Sequence, residues 1–151
     1  MRGEMESGMK TAFLFSGQGA QYPGMGKDLY ENYDSAKAVF DSIATDFDVK
    51  TLCFEGSKEQ LDDTQYTQVA IFAHAMAAAA VLQENGIHAD VTAGLSLGEY
   101  SALCYADCFS VQAGAEILRE RGKLMANALP SGTSAMAAVL MLDKEAILNA
   151  C

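Results

Sequence analysis

Short apolar runs alternate along this chain with longer stretches in which apolar residues recur every three or four positions. Thr11-Ala12-Phe13-Leu14-Phe15-Ser16 is one such run, too short for a helix and apolar enough for a buried strand. Leu29, Tyr33, Ala36, Phe40 and Ile43 then recur at spacings of four, three, four and three, which predicts one amphipathic helix. A short helix is predicted over residues 57–61. A longer one is predicted over 65–84, where apolar residues lie on nearly all sides and Gly86 follows as a stop, so it is expected to be buried. Ala89-Asp90-Val91-Thr92-Ala93-Gly94 reads as a second buried strand, residues 97–106 as a helix, and residues 110–127 as a further amphipathic helix. After Gly132, residues 135–142 read as a strand, and Asp143 is placed to cap a helix that begins at Lys144. Strand and helix alternate, so the predicted class is α/β with a parallel sheet.

Composition narrows the partners. Half of the 151 residues are hydrophobic, which supports a packed core, and no apolar run reaches the ~20 residues that span a bilayer. Residues 1–9 lack the apolar segment of a signal peptide, so a cytoplasmic protein is expected. Ten Lys and Arg against 20 Asp and Glu give a net charge of -10, which argues against nucleic acid or an anionic membrane as partner. Arg119, Arg121 and Lys123 form the tightest basic cluster. Four cysteines make no disulfide or metal framework: Cys104 and Cys108 are four apart, but no nearby His or third Cys completes a site, so no metal is expected, and no motif calls for a tightly bound cofactor.

The chemistry concentrates in Gly94-Leu95-Ser96-Leu97-Gly98, which has the form of a nucleophile elbow between the second strand and the helix after it. The helix N-terminus would then lie under Ser96 and favour an oxyanion on a substrate carbonyl. A second loop, Gly17-Gln18-Gly19-Ala20-Gln21-Tyr22-Pro23-Gly24, follows the first strand and can bring backbone N–H groups to a ligand. A dinucleotide fingerprint is the rival reading of this loop, and it ranks lower because Tyr22 stands where the third glycine belongs. Arg121 is flanked at three and four positions by Ile117, Leu118, Leu124 and Met125. It is therefore expected on an apolar stripe, where it needs an anion: a substrate carboxylate or one of the chain's own acids. Arg119, two positions away, is expected on the solvated face.

Phe15-Ser16-Gly17-Gln18-Gly19-Ala20-Gln21, Thr67-Gln68-Val69-Ala70, the ten residues from Gly94 to Leu103, and Arg121-Gly122-Lys123-Leu124-Met125 together resemble the ordered signature blocks of malonyl-CoA:acyl carrier protein transacylases. The resemblance implies an α/β hydrolase-like large subdomain over residues 9–132, after an extension of residues 1–8. It also implies the beginning of an inserted ferredoxin-like small subdomain over 133–151, with the chain an N-terminal part of a longer enzyme. Ser96 would take malonyl from coenzyme A as an ester and pass it to the phosphopantetheine thiol of acyl carrier protein, for fatty acid biosynthesis. By position, the backbone N–H groups of Gln18 and Leu97 would line the oxyanion hole, and Arg121 would pair with the malonyl carboxylate.

Two departures accompany the match. Leu95 stands where the family usually has His, and the family's catalytic histidine lies beyond Cys151. His88 is eight residues before Ser96, about 26 Å away if the chain between them is extended at ~3.3 Å per residue. His74 reads as a core histidine with a hydrogen-bonded ring. The isolated chain is therefore expected to turn over weakly. The alternatives are a serine hydrolase, such as a thioesterase or patatin-like lipase, and a non-catalytic fragment.

Overall fold

The computed structural model describes residues 10–129, 133 and 139–150. Its centre is a 21-residue helix, and the other elements are arranged by what they bury against it. In chain order the elements are β1 (Ala12–Phe15), α1 (Lys27–Asn32), α2 (Asp34–Ser42), α3 (Val49–Glu55), α4 (Lys58–Asp62), the central α5 (Thr64–Glu84), β2 (Val91–Gly94), α6 (Gly98–Tyr105), α7 (Val111–Ala126) and α8 (Lys144–Ala150). This is an α/β arrangement with a parallel sheet, as the alternating pattern predicted.

α5 is long and apolar enough to cross a membrane by length and composition alone, contrary to the sequence reading. More than half of that apolar window is buried inside the molecule, so it serves as a core helix. Thr67, Gln68, Val69, Ala70, Phe72, Ala73 and Ala77 on it are fully buried, and Phe40, Leu61, Leu97 and Leu118 pack into the same core. Side-chain caps define the helix starts: Asp48 for α3, Ser57 with Gln60 as a capping box for α4, Asp63 for α5 and Ser110 for α7. Each such cap is worth roughly 1 kcal/mol.

The helix expected over 29–43 is two helices. Tyr33 adopts φ -134 and ψ 123, extended values that break the hydrogen-bond ladder, and Asp34 opens a new helix. α3 was not foreseen. The strand expected over 135–142 lies outside the described residues as far as 138, and residues 139–142 form no strand.

β1 and β2 run parallel, in a register that pairs Ala12 with Val91 and Phe15 with Gly94. Asp90 fixes its start by accepting the Thr11 N–H at 2.7 Å. One face of the pair rests on the molecule, where Phe13 and Phe15 contact the Tyr105 ring. Ala12, Leu14, Val91 and Ala93 share the other face and are exposed. Both strands end at the same edge, where ligands bind in open α/β sheets, and Ser96 follows β2 there.

α7 corrects the reading of the two arginines. Its buried stripe is Gly114, Ala115, Leu118, Arg119 and Gly122, whereas Ile117, Leu124 and Met125 are exposed. Arg119 is the buried arginine, 8% exposed. It donates from Nε to Asp46 Oδ1 at 2.6 Å, from Nη2 to Asp46 Oδ2 at 2.8 Å and from Nη1 to the Gln65 carbonyl at 2.7 Å. Its guanidinium lies against the Phe47 and Tyr66 rings, 5.2 and 4.9 Å from their centroids. The paired guanidinium holds the Asp46 carboxyl down to about 2, from 3.8. A depressed carboxylate stabilises the fold above its unfolded pKa and loses that contribution as pH falls through the folded one. Asp46→Asn should therefore be less stable than the wild type at neutral pH, and the gap should close between pH 3.8 and about 2. Denaturant titrations across that range check this, and a gap independent of pH would refute it.

Candidate functional site

The turn between β2 and α6 is built by close backbone approach. A Cβ on Gly94 would lie 2.0 Å from the Gly98 carbonyl carbon, and one on Gly98 would lie 2.3 Å from the Phe15 carbonyl oxygen, so neither position admits a side chain. Between them Ser96 has φ 54, in the left-handed region that L residues avoid at a cost of about 1–2 kcal/mol. The Leu95 N–H donates to the Phe15 carbonyl at 3.0 Å, the Gly98 N–H to Leu95 at 2.9 Å and the Glu99 N–H to Ser96 at 3.2 Å, while Leu97 is fully buried beneath the turn. The sheet and the core thus hold the strained residue in place. Its hydroxyl is raised at the exposed strand edge.

The glycine-rich loop after β1 runs beside this turn and is tied down on its far side. Gln18 Nε2 donates to Thr64 Oγ1 at 3.0 Å, and Gln21 Nε2 to Asp62 Oδ1 at 2.7 Å. The Gly19 N–H donates to Gln21 Oε1 at 2.8 Å. By contrast, the backbone N–H groups of Gln18 and Leu97 donate no hydrogen bond among the described residues. Both lie on segments that flank Ser96.

Arg121 completes the arrangement. Its Nη2 donates to Ser96 Oγ at 3.1 Å and its Nη1 to Gln68 Oε1 at 2.6 Å, and its guanidinium carbon lies 5.6 Å from the centroid of the Tyr100 ring. Among the described residues no carboxylate pairs with it. The two alternatives for its anion are thus divided between neighbours: Arg119 has the internal acid, and Arg121 keeps an uncompensated charge beside the serine. The basic cluster expected from sequence is not a free patch, because Lys123 also faces Asp46, at 3.6 Å, and Glu120, at 3.0 Å. Gln68 and Tyr100 are site residues to which sequence reasoning gave no role. The signal available was a glutamine in an otherwise apolar buried helix, which requires a partner.

Neither histidine joins this group. His88 is exposed, at the end of β2 remote from Ser96. His74 is half-buried rather than a core residue, and its Nδ1, expected to be hydrogen-bonded, is buried and has no hydrogen-bond partner among the described residues. The ring packs edge-on to Tyr22, and desolvation pushes its pKa below the usual histidine value, slightly opposed by Asp28. Burial also pushes the Cys53 thiol up to about 12 and Cys104 to about 11, so both are protonated and poor nucleophiles at neutral pH. Ser96 is left as an exposed hydroxyl with two unengaged N–H donors nearby and a cation within hydrogen-bond reach. Such a set suits an acyl group that carries its own negative charge.

The chain matches the model of the family described as acyl transferase domain over residues 12–150. It is 44% identical over 144 residues to a malonyl CoA-acyl carrier protein transacylase of Staphylococcus aureus, covering 94% of this chain and 46% of that protein. A crystal structure of an acyl-carrier-protein-S-malonyltransferase from Bartonella henselae superposes with a TM-score of 0.89 at 39% identity, over 95% of this chain and 48% of the other. A type II PKS acyl-carrier protein in complex with its malonyl-transacylase matches with a TM-score of 0.76 at 37% identity, over 83% of this chain and 41% of that one. The chain spans about half the length of the relatives it matches.

Proposed function

Because the chain belongs to the acyl transferase domain family, we propose that the enzyme carrying it moves a malonyl group from coenzyme A to the phosphopantetheine thiol of acyl carrier protein, in cytoplasmic fatty acid biosynthesis. The observation that carries this reading is the contact of Arg121, unpaired with any described carboxylate, on Ser96 Oγ. Ser96 Oγ attacks the thioester carbonyl and gives its proton to a general base, a role that neither His74 nor His88 is placed to fill. The N–H groups of Gln18 and Leu97 stabilise the oxyanion, and Arg121 pairs with the malonyl carboxylate. Collapse expels the coenzyme A thiol and leaves malonyl as an ester on Ser96. The phosphopantetheine thiol then attacks that ester by the reverse sequence and restores the serine. The reaction requires no tightly bound cofactor.

We divide the chain as the sequence suggested, with residues 9–132 in the large subdomain and 133–151 opening the small one. The test is transfer of labelled malonyl from malonyl-CoA by the intact enzyme carrying this sequence. Label should reach holo acyl carrier protein and depend on its concentration. Steady release of free malonate that is indifferent to the carrier protein would instead establish a hydrolase.

A further inference from the structure

Gln68 is the one fully buried side-chain amide in the described core, and both ends of that amide are engaged around the site. Oε1 accepts from Arg121 Nη1 at 2.6 Å, and Nε2 points to Met125 Sδ at 3.2 Å. The guanidinium only donates, so the amide oxygen must face it, and the sulfur is a weak acceptor for the other end. The supporting helix pair is itself held in register. A Cβ on Gly122 would lie 2.9 Å from the Thr64 carbonyl oxygen, so α7 touches the backbone of α5 one turn before Gln68, and Arg119 anchors to the Gln65 carbonyl in the same turn.

Two arginines two positions apart on one helix thus receive opposite partners. Arg119 is clamped by the Asp46 carboxylate, whereas Arg121 is clamped by a neutral carbonyl oxygen. A neutral acceptor fixes a guanidinium in space while leaving its charge for another anion. A carboxylate in the same place would fix and neutralise it. We propose that Gln68 is a positioning residue that sets acyl selectivity, by holding Arg121 over Ser96 with its charge uncompensated. This rests on the transfer reading above. It adds that preference for a carboxylated acyl group depends on a buried side chain which contacts Arg121 rather than Ser96.

The experiment measures kcat/KM for malonyl-CoA and for acetyl-CoA in the intact enzyme, as wild type, Gln68→Glu and Gln68→Leu. Gln68→Glu keeps the size and the hydrogen bond but pairs with Arg121. The ratio of malonyl to acetyl use should fall on the order of 10- to 100-fold, the range of one charge-assisted interaction. Gln68→Leu leaves Arg121 charged but unaimed, and should raise KM for malonyl-CoA more than it lowers kcat. Equal losses for the two acyl groups in both variants would show a purely structural role and overturn the inference, as would an unchanged ratio in Gln68→Glu. A wild-type enzyme that esterifies Ser96 with neither substrate overturns the transfer reading itself, a result separable from failure in the variants alone.

Discussion

Replacing Ser96 by alanine abolishes the malonyl ester in the intact enzyme and lowers transfer by on the order of 10⁴–10⁶-fold, the scale on which removal of a nucleophile acts. Alanine keeps the Cβ and faces the same backbone cost at φ 54, so the turn is retained and the loss is chemical. Peptide mass mapping after brief exposure to malonyl-CoA should place the added mass on the wild-type peptide containing Ser96 and nowhere in the variant. The protonated thiols of Cys53 and Cys104 are not competing sites. Label that persists in Ser96→Ala, or that sits on a cysteine, refutes the assignment.

Arg121→Ala should weaken malonyl transfer by about 2–4 kcal/mol, roughly 30- to 1,000-fold, while acetyl transfer falls far less. The asymmetry follows from charge. Without the guanidinium the malonyl carboxylate is left partly desolvated and unpaired, whereas acetyl presents no such group. Arg121→Lys should restore only part of the loss, because an ammonium lacks the planar fork that reaches Gln68 and the substrate together. Parallel kinetics with malonyl-CoA and acetyl-CoA decide the matter. Equal losses with a lowered melting temperature would make Arg121 a structural residue.

The elements legible in the sequence were those whose signals are local. β1 and β2 are short apolar runs, α5 is long, apolar and stopped by Gly86, and the elbow has glycines where two backbones cross. The break at Tyr33 was hidden, because apolar spacing runs on through a single extended residue. α3 carried signals that went unread: Asp48 ahead of Val49, Leu52 and Cys53, with Gly56 behind. The misplaced stripe on α7 has a different cause. Counting apolar side chains selects Ile117, Leu124 and Met125, but the face against α5 is built from Gly114, Ala115 and Gly122, whose smallness permits contact, and from Arg119, whose partner Asp46 is 73 positions away. A hydrophobic pattern registers neither glycine contacts nor a distant counter-ion. The resemblance put Ser96 and Arg121 in one site, but the contact of Gln68 on Arg121 was out of reach, since it depends on the register of α7 against α5 and not on either helix alone.

The parallel pairing of β1 with β2 also bears on the order of folding. Thr11 and Asp90, which fix its start, are 79 positions apart, so joining the strands closes a loop whose chain entropy costs about 4 kcal/mol, set against only four residues of ladder. α1 to α4 meet neighbours that are close in sequence, and they can assemble on α5 before that closure. The turn that holds Ser96 at positive φ lacks its anchor to the first strand until the Leu95 N–H finds the Phe15 carbonyl, a contact between distant parts of the chain. The geometry of the nucleophile is therefore complete only once the two strands have paired.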